Sequence, residues 1–272
     1  MSFEIEAFAM KQIILHIPHS SAIIPIRDGY TVRESDLKPE IMKLTDWFTN
    51  DLFQHHNALQ VVAPFSRIFC DVERQLDDAK EPMASYGMGF LYTAFDDGKT
   101  LRKITPGLKK LIINQYYQPF QSNFLHKIET QLRKSDSCLI IDCHAFTGKP
   151  LQSDLDKILP RPDINIGTDD FHTSPELISL TQKYFKKHGL FLRLNSPSKG
   201  TFIPEKYFKQ DKRVQGIRIE LNRDLYLRRD SRLKSVTYPE LKQVLKDYLE
   251  AVHALINEDT LIEPEATQEV TV

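Results

Sequence analysis

Apolar residues along this chain fall into short continuous runs separated by stretches with steps of three and four, the signature of strands alternating with helices. The clearest run is Cys138, Leu139, Ile140, Ile141, Asp142, Cys143 and His144, followed by Ala145, Phe146, Thr147 and Gly148. Such a run with a glycine after it predicts a buried strand over residues 138–143 in a parallel or mixed sheet. Ligands of open α/β sheets lie just past the carboxyl ends of the strands, which puts His144 where a side chain enters a site. The competing reading is a core histidine bonded to Asp142 or to a backbone carbonyl.

Ile13, Ile14, Leu15, His16 and Ile17 form a first strand, ended by Pro18, which lacks the donor a central ladder needs. His19 therefore falls on the turn at that strand's carboxyl end, while His16 reads as a strand residue facing a helix. Residues 39–59 turn helical, with Ile41, Leu44, Phe48, Leu52 and His55 on one face. Asp46 inside that stretch is either a helix cap or a carboxylate turned toward the strand ends. Residues 60–64 and 68–72 read as short strands, and Arg67 and Arg74 on either side of Asp71 suggest an anion site.

Residues 75–105 show no period and carry Gly87, Gly89 and Gly98 among scattered aromatics. A connection this long predicts a lid over the substrate, a hairpin around Asp97 and Gly98, or both. Residues 108–132 are helical, with Pro119 set to kink or divide them. Residues 153–161 read as a polar surface excursion and 164–168 as another short strand. Ser174, Pro175 and Glu176 open a helix that runs to about His188 and stops at Gly189. Residues 190–194 form a strand, followed by a turn-rich loop over 195–200. Residues 216–222 alternate, with Ile217, Ile219 and Leu221 on one side and Arg218, Glu220 and Asn222 on the other. A carboxylate on such a face is costly unless the face lines a site or water. Thr237 and Glu240 have capping-box spacing ahead of a helix with Leu241, Leu245, Tyr248, Val252 and Ile256 on its face.

No repeat, heptad or linker divides the chain. The alternation predicts an α/β fold: a single three-layer α/β/α sandwich with a mixed, largely parallel sheet over residues 1–262, and a polar tail over 263–272. A length of 272 residues, 41% hydrophobic and 27% charged, supports a sizeable core. The net charge of −1 offers no field to recruit nucleic acid or an anionic membrane. No apolar run approaches membrane-span length, and the start, with Glu4, Glu6 and Lys11, lacks the apolar segment of a signal peptide. Cys70, Cys138 and Cys143 form no CxxC pair and lie in apolar runs, as buried thiols of a reducing compartment do. A cytoplasmic protein is expected; the oligomeric state is open.

The residues with chemistry to offer are His19, Asp46, His144 and Glu220. Two histidines and a carboxylate from separate strand ends make a common zinc set that leaves a position open for water. Zinc lowers the pKa of such a water to about 7, and a carboxylate off the metal, for which Glu220 has the chemistry, relays its proton. There is no HExxH segment.

The chain resembles the N-formylglutamate amidohydrolase family through a series of stretches in order. They are His16 to Ser20, Thr45-Asp46-Trp47, Ser66-Arg67 through Asp71 to Arg74, and Asp142-Cys143-His144. Asn195-Ser196-Pro197 with Gly200, and Ile219 to Tyr226, complete the series. That family is similar in fold to zinc carboxypeptidases and cell-wall amidases, with a metal at the strand ends of an α/β/α sandwich. The resemblance implies His19, Asp46 and His144 as ligands of one zinc or other divalent ion, with Glu40 the rival carboxylate to Asp46. It implies Glu220 as general base; Arg67, Arg74 and Arg218 then have the chemistry to hold a substrate carboxylate, with Asn195 a further substrate-binding candidate, and Asp142 can orient a metal-bound imidazole. The implied substrate is a small acidic N-acyl amino acid such as N-formylglutamate. Three departures stand out: Val72-Glu73-Arg74 replaces the usual Asn before the Arg, Ser21 takes the place of a usual glycine, and the loop from Glu81 to Thr100 is this chain's own. Two other readings compete: a peptidase or peptidoglycan-type amidase on the same scaffold, and a metal-free module that binds an acidic ligand through its arginines.

Overall fold

The computed structural model describes residues 10–229 and 231–258. Glu4, Glu6 and the polar tail 263–272 lie outside the described residues. Six strands form one sheet: β1 (Ile13–Ile17), β2 (Ala58–Val62), β3 (Cys138–Phe146), β4 (Ile164–Gly167), β5 (Leu192–Leu194) and β6 (Val214–Asn222). Their spatial order is β2-β1-β3-β6-β4-β5. β2, β1, β3 and β6 run parallel, β4 lies antiparallel to β6, and β5 lies parallel to β4. The sheet is mixed and mostly parallel, as the alternation implied.

Among the described residues six α-helices accompany it: α1 (Glu34–Leu44), α2 (Thr49–Leu52), α3 (Pro106–Ile112), α4 (Gln118–Ser135), α5 (Pro175–Lys187) and α6 (Tyr238–Asn257). One face of the sheet presents Leu15, Ile17, Ile141, Cys143, Ile219 and Leu221 to α2, α5 and α6. The other presents Ile14, Ile140 and Val214 to α3 and α4, through Leu108, Ile112, Phe120, Phe124 and Ile128. A third apolar cluster, around Leu37, Ile68, Met88, Tyr92 and Leu101, supports the long connection after β2.

Several boundaries differ from the sequence pattern, each for a physical reason. β3 continues past Cys143 to Phe146, because all nine of its residues find partners along β6. His144 therefore lies inside the strand and not beyond its end. The helix expected over 39–59 starts earlier and breaks: α1 ends at Leu44, Phe48 takes a left-handed φ of 63°, and α2 is one turn long. The break lets the Asp46 amide donate to the His19 carbonyl at 2.9 Å. Residues 68–72 are turns, not a strand, since the Phe69 and Cys70 amides both donate to the Ser66 carbonyl.

Pro119 does not divide its helix. A π-turn over Ile113–Tyr117 joins α3 to α4 and shifts the register, so that the proline stands at the start of α4 where a missing N–H costs little. Ser174 caps α5 as expected, accepting from the Leu177 amide at 3.2 Å, and Gly189 follows with φ 73°. The Thr237 capping box does not form; its hydroxyl donates instead to the Leu225 carbonyl. Both readings of 75–105 hold in part. Ala94 bridges Thr100 across the turn at Gly98, and Met83, Met88 and Tyr92 line a cavity at the sheet's carboxyl end.

Gly167 is the tightest point where β4 meets the 195–200 loop. A Cβ there would stand 2.1 Å from the Gly200 carbonyl oxygen and 2.9 Å from Arg218 Cβ. Gly167→Ala is expected to cost about 1–3 kcal/mol and to lower the denaturant midpoint. Gly107→Ala, with open space around its Cβ, serves as the neutral control.

Candidate active site

The face of the sheet covered by α4 changes character along its length. Its lower half is apolar, while its upper half carries two polar rungs set by strand register. His16 on β1 stands beside Asp142 on β3, and Asp142 beside Arg218 on β6. Two residues further on, His144 stands beside Glu220, and Glu220 beside Asn165 on the antiparallel β4. Loops from β1 and α1 add His19 and Asp46 above these rungs.

His19, Asp46 and His144 converge, all buried. Nδ1 of His19 lies 3.3 Å from Nδ1 of His144, and Asp46 Oδ2 lies 3.2 Å from His144 Nδ1 and 3.7 Å from His19 Nδ1. Ligand atoms around a tetrahedral zinc with bonds near 2.0–2.1 Å stand about 3.3–3.4 Å apart. Two nitrogens and one oxygen at these separations fit such an ion and leave a fourth position for water. Glu40 does not join them: it accepts from the Asp96 amide at 2.6 Å and pairs with Lys43 at 2.7 Å.

The outer ring nitrogens are held by carboxylates, which leaves the Nδ1 atoms facing one another. His19 Nε2 donates to Asp71 Oδ1 at 2.8 Å, and His144 Nε2 to Asp142 Oδ1 at 2.9 Å. Asp142 also receives His16 Nδ1, Arg218 Nε at 2.7 Å and the Phe202 amide. Burial disfavours its charge, but Arg218 and His144 hold its carboxyl well below the usual range. Asp71 behaves the same way, with His19 and Arg67 outweighing burial. Asp46 is likewise held down, by His144, His19 and Arg223, against the cost of burial.

Glu220 is buried on the wall of a cavity of about 390 Å³ that also holds His19, Asp46 and His144. Its Oε2 accepts from Asn165 Nδ2 at 2.6 Å, and Oε1 has no hydrogen-bond partner among the described residues. Arg67, Arg74 and Arg218 line the same cavity. Arg67 gives Nε and Nη2 to Asp71, whereas the buried Arg74 Nε makes no hydrogen bond and stands 3.6 Å from Asp71 Oδ2. Asn195 does not line it. Its side chain is used by the Thr168 and Gly200 amides and the Thr168 hydroxyl, so it shapes the 195–200 loop.

Sequence reading alone missed four contributors. Asn165 looked like an ordinary strand residue, and only the antiparallel pairing of β4 aims it at Glu220. Arg223, 3.1 Å from Asp46 Oδ1, and Asp71 were present within the quoted stretches without a role. Glu73, noted only as a departure, reaches His144 Nε2 at 3.1 Å. His16 is a positioning residue stacked 4.7 Å from Phe124 and 4.9 Å from Phe202. Elsewhere His55, His56 and Glu250 gather at the surface. There the Asn57 amide occupies His55 Nδ1, so Nε2 carries the proton given to Glu250.

In the metal-free protein, burial opposes charge on His144, yet Asp142 and Glu73 push its pKa well above the imidazole range. A raised folded pKa contributes stability that is full below the unfolded value of about 6.5 and is lost as pH climbs through the folded value. Chelated protein is therefore expected to lose Tm as pH rises from about 6.5, and His144→Gln to lack that part of the slope. Calorimetry across pH on both proteins checks this; equal slopes would contradict it.

The family model for N-formylglutamate amidohydrolase matches residues 11–227. Among solved structures, the N-formylglutamate amidohydrolase of Ralstonia eutropha JMP134 superposes with TM-score 0.76 at 19% identity, over 92% of this chain and 95% of that one. A gene product of Agrobacterium tumefaciens superposes with TM-score 0.58 at 16% identity, over 93% and 91%. Among curated proteins the chain has no match. The structural likenesses carry the fold, and with the family match covering residues 11–227 they place this chain in the N-formylglutamate amidohydrolase family.

Proposed function

We propose that the chain is a zinc-dependent amidohydrolase that cleaves the linear carbon–nitrogen bond of a small acidic N-acyl amino acid such as N-formylglutamate. The observation that carries this reading is the convergence of His19, Asp46 and His144 beside Glu220 on one cavity wall. Those three residues would hold the ion, with Asp71, Asp142 and Arg223 fixing their orientation. When bound, zinc supplies Lewis acidity at the substrate carbonyl and lowers the pKa of a ligated water.

Glu220 does the proton work. Asn165 pins one of its oxygens and leaves the other facing the reaction, so it accepts the proton of the attacking water and hands it to the departing nitrogen. Arg74, whose Nε makes no hydrogen bond, lines the cavity as a donor for the substrate carboxylate, and Met83, Met88, Tyr92 and Phe202 narrow the cavity around the amide. Three buried, unpaired thiols suit a reducing, cytoplasmic setting.

Zinc added to chelated protein is expected to bind at one ion per chain and to raise Tm. Asp46→Asn should lose most of both effects, read by metal analysis and calorimetry. Glu220→Gln should keep its zinc and lose about 10²- to 10⁴-fold in kcat, followed as formate release from N-formyl amino acids. Full activity in that variant, or a wild-type protein indifferent to zinc, would refute the mechanism.

A further inference from the structure

We infer that the substrate continues past one amino acid: a hollow beside Arg74 is a second subsite, which takes a residue joined to the α-carboxyl group of the acylated one. Short N-acyl peptides that begin with an acidic residue are then substrates alongside N-acyl amino acids. The inference rests on the amidohydrolase reading of the neighbouring cavity. The two spaces meet along a common wall. Glu73, Arg74, Thr201, Phe202 and Phe208 line both the cavity and a hollow of about 730 Å³, within the range of about 300–1,000 Å³ usual for small-molecule sites.

Arg74 marks the crossing point. Its guanidinium is ion-paired with Asp71 at 3.6 Å and Glu81 at 3.5 Å, yet makes no side-chain hydrogen bond among the described residues. Its side chain is 27% exposed, so N–H donors remain for a substrate oxygen. In a single amino acid those donors meet the α-carboxylate. In a peptide they meet the carbonyl at the same place, and the chain runs on into the hollow. The crossing point is held from the hollow's side. The Tyr117 hydroxyl donates to the Arg74 carbonyl at 3.0 Å, and Gln121 Nε2 donates to the Val72 carbonyl at 2.6 Å. Glu73, between them, pairs with Arg218 at 3.1 Å inside the wall.

The hollow suits a neutral side chain. Ile203 and Pro204 in it are buried, and Leu76, Tyr117, Leu125 and Phe202 are half-buried, which gives an aliphatic or aromatic group apolar surface to cover. Its charged residues beyond the common wall, Asp77, Lys80, Glu205 and Lys206, are all exposed. Two acids and two bases balance, and solvent and salt screen them, so neither sign of side-chain charge is selected. Lys206 pairs with Glu129 at 2.6 Å, whereas Lys80 makes no ion pair among the described residues. Lys80 is therefore the cation available to the peptide's terminal carboxylate.

N-formylglutamyl-leucine, set against N-formylglutamate on the zinc-loaded protein, tests this. Water adds to the formyl carbon, the C–N bond breaks, and formate leaves with glutamyl-leucine, whose new amine takes the proton carried by Glu220. Formate release from the peptide is expected with a kcat/KM no lower than that for N-formylglutamate. Leu125 lines the hollow and not the cavity, so Leu125→Trp should cut the peptide's kcat/KM about tenfold and leave N-formylglutamate unchanged. Leu76→Trp fills the same space from the loop after Arg74 and takes its place if Leu125→Trp does not fold. A lower value for the peptide in the wild type, or release of leucine in place of formate, would overturn the inference. So would a filled hollow that spares the peptide or slows both substrates alike. If neither compound turns over, the amidohydrolase reading fails, and titration calorimetry on the wild type and the filled variant decides the hollow alone. Tighter binding of the peptide, lost on filling, is then expected; equal or weaker binding refutes the subsite.

Discussion

The Asp142 carboxylate is the interaction on which the rest of the site depends. It lies fully buried in the central strand and receives His16, His144, Arg218 and the Phe202 amide. These donors come from three neighbouring strands and the loop before β6, so one side chain ties the sheet's upper edge together. A buried charge survives only when its partners replace the lost water. Removing one member of such a set leaves a charge uncompensated and costs about 3–5 kcal/mol. Stability and site geometry are thus the same contacts, and the Nδ1 edge of His144 is aimed by them.

The network is possible because the sheet face is divided. Phe120, Phe124 and Ile128 of α4 seal its lower half, where Ile14 and Ile140 need apolar neighbours. Phe124 and Phe202 then both stack against His16 at the boundary, so the polar rungs begin where the helix's apolar cover ends. Above that line the face carries paired ions and opens into the cavity. On the opposite face Ile141, Cys143 and Ile219 stay in a dry core throughout. Alternation in β3 and β6 serves both faces at once, one for packing and one for chemistry.

Much of this was legible along the chain. The run ending in His144, the proline that stops β1 before His19, and the alternation of Arg218 and Glu220 are local patterns. A period of two or of 3.6 residues reports which face is buried without knowing what covers it. The stretches around Asp46 and Glu220 carried the family resemblance, and residues 11–227 match that family. What failed locally were boundaries: residues 68–72 have strand composition, yet turns held by Ser66 won.

By itself the sequence determined the α/β class, the strands of the central sheet and the histidine and carboxylate types available for chemistry. Hydrophobic period and turn residues act over a few positions, and these features need nothing more. Only the tertiary structure decided which carboxylate meets the histidines: Asp46 turns inward while Glu40, six residues earlier, is bound by the Asp96 amide and Lys43. It also decided that Asn165 reaches Glu220 and that Glu73 reaches Arg218, contacts separated by 55 and 145 residues. Such pairings follow from strand order, β4 direction and loop closure, which no local pattern encodes. The strand that carries His144 announced a ligand-bearing position, and packing supplied what faces it.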